Sequence, residues 1–237
     1  MSSNTEALIV EWLASQRQAM IDLLRDVVNI DSGSYDKAGV DAVGERFQQH
    51  FAEHDIETWR EPNDVYGDAV HAVVTKPGSN EKPILLLGHR DTVFPKGEVE
   101  KRPFTIKDNK AYGPGVADMK AGVVINVFVA AALNKFEAAP HPIKVLITGD
   151  EEIASRASRP IIEREGRAAR AVYNSEPAVR LVISSPAARV ASSCASRCSA
   201  RLRIPATTFL SVSALSVNSR IRSCRFTRSP TWTRASR

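Results

Sequence analysis

The chain is 237 residues long, with 43% hydrophobic residues and a formal net charge of +5, enough for one large globular domain or two small ones. No apolar run approaches the roughly 20 residues that span a bilayer. The start, "MSSNTEALIVEWLASQ", lacks a basic segment followed by an apolar core, so a secretory signal is not expected and a cytoplasmic location is.

Taken in order, the first segment reads as a helix capped by Ser3 or Asn4, with Leu8, Ile9, Trp12, Leu13, Met20, Leu23, Leu24 and Val27 at helical spacing. "DSGSYDKAG" breaks it, and a second helix is predicted near Val40 to His54. "AVHAVVTK" is strand-like and "KPGSNEKP" is a turn cluster. "PILLLGHRDTVF" reads as a buried strand with its exit loop, and "FTIKDNKAYGPG" as a hairpin turning at Asp108-Asn109. "AGVVINVFVAAALNKF" is an almost wholly apolar helix packed under a sheet, and "IKVLIT" is a second buried strand. "RPIIEREG" is a short helix ended by Gly166, and "ARAVYNSEP" is a further strand and loop.

Strands alternating with helices predict an α/β fold with a mostly parallel sheet. In such sheets functional groups collect at the C-terminal strand ends. His89 and Asp91 follow "ILLLG", Glu151 and Glu152 follow "VLIT", and Glu176 follows "RAVYN". Imidazole and carboxylates delivered by three strand ends suit a divalent metal, which would also relieve the repulsion within Asp150, Glu151 and Glu152. The loop Gly113-Pro114-Gly115 turns tightly ahead of Asp118. Taken singly, each motif has an ordinary structural reading, such as a strand exit, an N-cap or a solvated acid. Their joint order is what points to a site.

"GHRDTVFPKG", "YGPGVADMKAG", "GDEE" and "SEP" resemble the zinc-dependent exopeptidase family of glutamate carboxypeptidase, acetylornithine deacetylase and succinyl-diaminopimelate desuccinylase. The wording is most similar to the glutamate carboxypeptidase branch. The resemblance covers Met1 to about Ala178. It implies a three-layer catalytic domain holding two divalent ions, zinc by expectation, with cobalt or manganese as alternatives. By position it implies that His89 and Glu176 bind one metal, Asp118 bridges both, and Glu152 binds the other. Asp91 would orient His89, and Glu151 would be the general base that takes a proton from the attacking water and returns it to the leaving amine. The implied substrate is a small peptide or N-acyl amino acid, with release of a C-terminal residue, glutamate by expectation. A deacylase of the same family is the alternative, and neither a nucleic-acid nor a membrane partner is expected.

The resemblance stops where the composition changes. After Glu176 the chain has no Asp, Glu or Lys but 11 Arg, and all three Cys (Cys194, Cys198, Cys224) lie there. Residues 1–177 carry 21 basic and 27 acidic groups, a net of −6. The expected organisation is thus a partial catalytic domain over 1–178 and an aberrant Arg/Ser-rich tail over 179–237. Full-length relatives are expected to carry a lid domain, often dimerising, and a last His ligand; here His141 is the last histidine. The tail reads as lid coding sequence translated out of frame. Trp232-Thr233 forces an Asp in the shifted frame, and Ala214 to Ser236 is compatible there with "AIGELAHKIVQIHALTDLDEGI", an amphipathic helix and polar turn. A disordered tail and a basic nucleic-acid arm are the alternatives, the latter attached to an inactive metal-binding remnant. Impaired hydrolysis is the expectation for the chain as it stands.

Overall fold

The computed structural model describes residues 3–75 and 78–177. The expectations for the tail lie outside these residues. The expected first helix is two: α1 (Ser3–Ser15) and α2 (Arg17–Val28), parted at Gln16, whose φ of −84° and ψ of 5° leave the helical region. Ser15 Oγ donates to Trp12 O at 2.6 Å, beside the Gln16 N–H that bonds to Trp12 O at 3.1 Å and Leu13 O at 3.2 Å. A serine hydroxyl that back-bonds in this way competes with the helical ladder. Helix α3 (Lys37–Ala52) starts three residues before its expected position, because Asp36 accepts from Gly39 N at 3.2 Å and caps it.

Strands β1 (Glu57–Glu61), β2 (Ala69–Val74) and β3 (Ile84–His89) follow. Next come α4 (Glu98–Lys101) and the hairpin β4 (Thr105–Lys107) and β5 (Lys110–Tyr112). The hairpin turns where expected, with Asp108 and Asn109 both at positive φ. A wide turn over Val116–Lys120 leads into α5 (Ala121–Lys135), then β6 (Ile143–Thr148). Helix α6 (Arg159–Ala168) runs through Gly166, which has no left-handed backbone to stop it, and β7 (Ala171–Asn174) closes the set.

The sheet order is β1-β2-β6-β3-β7. Strands β3, β6 and β7 pair in parallel, and β2 runs antiparallel to both β1 and β6. Four strands therefore point one way and β2 the other, a mixed α/β sheet that is mostly parallel. Strand β1 was not foreseen: its two glutamates and one arginine hide a pleat in which Trp59 stacks on His71 of β2, ring centroids 4.8 Å apart.

One face of the sheet carries Val70, Ala72, Leu86, Val145 and Ile147, buried beneath Leu23, Val27, Phe47, Phe51, Val127 and Phe128 of the helices. The other carries Ala69, Leu85 and Leu146, with Ile161 and Ile162 of α6 against them. By length and composition the stretch Val116–Lys135 could cross a membrane, contrary to the expectation that no run is long enough. Its most apolar window is 67% buried inside the domain, as in the core helix of a globular fold.

Candidate metal centre

The parallel register pairs His89 with Thr148, so β3 and β6 end side by side and release His89, Asp91 and the Asp150–Glu152 stretch at one edge. His89 is buried, and its Nε2 lies 3.2 Å from Asp118 Oδ1, 3.2 Å from Glu176 Oε1 and 3.8 Å from Glu151 Oε2. Its Nδ1 is 3.3 Å from Asp91 Oδ1. Asp91, fully buried, also accepts from Ser34 Oγ at 2.7 Å and from the N–H groups of Glu151 and Glu152 at 3.1 Å each. One aspartate thus orients the imidazole and pins the backbone of the next two acids.

Two close approaches deliver the other carboxylates. Gly115 sits at φ 70°, where a Cβ would lie 2.5 Å from Thr92 Cγ2, so only glycine makes the turn ahead of Asp118. Lys120 anchors the far side of that turn, donating to Val27 O at 2.8 Å and Ile30 O at 3.0 Å. At Gly122 a Cβ would meet Ser175 O at 2.2 Å, so the missing side chain lets β7's exit lie against α5 and carry Glu176 to His89. Asn126 fastens this contact: its Nδ2 donates to Leu87 O at 3.2 Å, and its Oδ1 accepts from Ser175 Oγ at 2.7 Å. Ser34, Lys120 and Asn126 were not singled out from sequence, where a serine in a loop or an asparagine in an apolar helix carries no mark of its distant partner.

The charges are frustrated. Burial disfavours the imidazolium of His89, yet its bonds to the Asp91 and Glu176 carboxylates outweigh this and lift it to about 11. Burial raises Asp118, and the charge of Glu176 adds to it. Glu151 and Glu152 are raised by burial, with the surrounding carboxylates reinforcing it. Asp91 goes the other way: burial raises it, but His89, Ser34 and the Glu151 N–H together pull it below the usual range.

His89, Asp118 and Glu176 offer three ligand atoms within 4.8 Å of one another. A single Nε2 proton cannot serve two carboxylates well, whereas a divalent cation satisfies all three donors. Ligands about 2.1 Å from one ion at a tetrahedral angle lie about 3.4 Å apart, close to the 3.2 Å separations here. Glu152 is tied to Asp91 through its backbone, and its carboxylate lies outside this tight group. The other four histidines serve elsewhere: His50 faces Glu53, His71 faces Glu61, His141 faces Glu81, and His54 packs on Trp12.

An α/β sheet that gathers imidazole and carboxylates at its strand ends offers the donor set of a divalent-metal centre. The chain belongs to peptidase family M20/M25/M40, whose pattern matches residues 85–219 and so extends into the Arg-rich segment. Carboxypeptidase G2 of Pseudomonas sp. (strain RS-16) is 30% identical over 180 residues, which is 75% of this chain and 43% of that protein. Acetylornithine deacetylase of Proteus mirabilis (strain HI4320) is 39% identical over 87 residues, 35% of this chain and 22% of the relative. Human carnosine dipeptidase 1 shares the fold with a TM-score of 0.60 at 18% identity, covering 72% of this chain and 41% of the other. The chain therefore spans less than half the length of these relatives.

Proposed function

We propose that the chain carries the metal-binding half of an enzyme that hydrolyses an amide next to a free carboxylate, releasing C-terminal glutamate. The observation that carries this reading is the convergence of Asp118 and Glu176 on His89 Nε2, with Asp91 behind the ring. His89, Asp118 and Glu176 would hold one ion, and Asp118 with Glu152 would begin a second site. Bound zinc, or cobalt or manganese, supplies Lewis acidity, polarising the amide carbonyl and acidifying the attacking water. Glu151 is half exposed beside the cluster, so its carboxylate can receive the water proton and hand it to the leaving amine. Asp91 keeps His89 in one tautomer, with Nε2 free for the ion.

The preference for glutamate is supported by the likeness to carboxypeptidase G2, and a deacylase activity by the likeness to acetylornithine deacetylase. The test is zinc affinity of the full chain, measured by competition with a chromogenic chelator, beside release of glutamate from an N-acylated glutamate and of ornithine from N-acetylornithine. Zinc should bind, His89→Ala should abolish binding, and glutamate should be released slowly or not at all, because no fifth ligand comes from the other histidines. Absence of zinc binding sinks the reading, and a full enzymatic rate overturns the need for a further histidine.

A further inference from the structure

Three acids stand in a row at 150–152, and only two of them face the centre. Asp150 is 2% exposed, and its side chain turns the other way. Its Oδ2 accepts from Ala157 N at 2.6 Å and Ser158 N at 3.2 Å, at the start of α6. Its backbone carbonyl accepts from Ser155 N at 2.8 Å. The loop Asp150–Ser158 is thus closed on a single residue. The closure is needed because Ala154 at φ 70° and Ser155 at φ 49° hold two successive side chains in the left-handed region, which non-glycine residues avoid.

We infer that Asp150 is a positioning residue: it clamps the returning end of this loop while Asp91 holds the leading end, so that Glu151 and Glu152 are presented to His89. Asp91 takes the N–H groups of residues 151 and 152, and Asp150 takes those of 157 and 158. The loop between them has no other regular structure than the short turn Glu151–Ile153. Removing the acceptor releases the return, and the left-handed pair can relax by pulling the leading end off Asp91. Charge is not what the clamp needs. Asp150 Oδ1 and Ser158 Oγ are both buried without a hydrogen-bond partner, so asparagine can keep the accepting oxygen and put its NH2 where an oxygen now goes unused.

The inference rests on the metal-centre reading only for its zinc readout, and hydrogen exchange on the metal-free chain tests it independently. In Asp150→Ala, protection of the Glu151 and Glu152 amides should fall about tenfold or more while β3 keeps its protection. Zinc should bind about tenfold more weakly. Asp150→Asn should match the parent in both. If Asp150→Ala leaves those two amides protected, the clamp is wrong. If Asp150→Asn loses zinc affinity as fully as the alanine variant, Asp150 acts by charge or as a ligand and the inference falls. Should the alanine variant unfold, seen as lost protection in β3, the asparagine variant still decides through the same amides. A parent chain that binds no zinc defeats the functional reading and leaves the exchange result to judge Asp150.

Discussion

The two faces of the sheet are held by different forces. Beneath α1, α2, α3 and α5 lies a continuous apolar core in which Val27, Val43, Phe47, Phe51, Val127 and Phe128 are wholly buried. On the α6 face, among the described residues, only Ala69, Leu85 and Leu146 are buried together, and Lys144, Glu165, Arg164 and Glu61 join strand to helix by ion pairs. Dry packing rewards every methylene, whereas a charge pair as exposed as Arg164–Glu61 contributes little. Stability should therefore reside in the first face. The candidate metal centre hangs from the strand ends between the two and depends on close backbone approach more than on either.

The largest effect should come from the deep face. Phe128→Ala removes a fully buried ring and should lower stability by about 3–5 kcal/mol, read as a shift of the urea midpoint at unchanged slope. Next is a pH effect on the same face. His50 is packed against Phe128 with ring centroids 4.5 Å apart, and burial pushes it down to about 4. A histidine with a depressed folded value leaves the unfolded chain binding the extra proton, so stability is full above about pH 6.5 and declines toward pH 4. The decline should be on the order of 3 kcal/mol. His50→Leu should flatten that part of the pH profile, and an unchanged profile would remove His50 as the cause.

A smaller effect should separate centre from core. Gly122→Ala drives a Cβ against Ser175 O and displaces Glu176. Zinc affinity should fall roughly tenfold, about 1.4 kcal/mol, with a lesser change in the urea midpoint. Equal losses in both would mean that the contact serves packing rather than the centre. The smallest effect belongs to the α6 face. Glu61→Gln breaks the pair with Arg164, both partly exposed, and should cost less than about 1 kcal/mol, shrinking further in high salt. A loss as large as that of Phe128→Ala would erase the contrast between the faces.

Strands with a simple burial pattern were plain in the sequence. "ILLLGH" and "IKVLIT" are apolar because both sides of a central parallel strand are covered, and the acids follow them because strand ends open to solvent. Strand β1 was hidden because one of its faces meets charged partners, and the Gln16 break because a serine side chain, not a glycine or proline, competes for the carbonyl. At the centre, His89, Asp118 and Glu176 stood out as chemistry-bearing residues in ordered motifs. Ser34, Asn126, Lys120 and the outward turn of Asp150 did not, because each acts through a partner distant in sequence or on the far side of a loop.

By itself the sequence determined which residue types reach the strand ends and in what order, since alternation of apolar runs and turns is a local property written along the chain. Only the tertiary structure decided which carboxylates share the imidazole and which turn away. That choice depends on register, which sets His89 beside Thr148, and on a glycine's missing side chain, which lets Ser175 approach α5. Distances of this kind arise between segments far apart in sequence, where packing, not pattern, fixes the geometry.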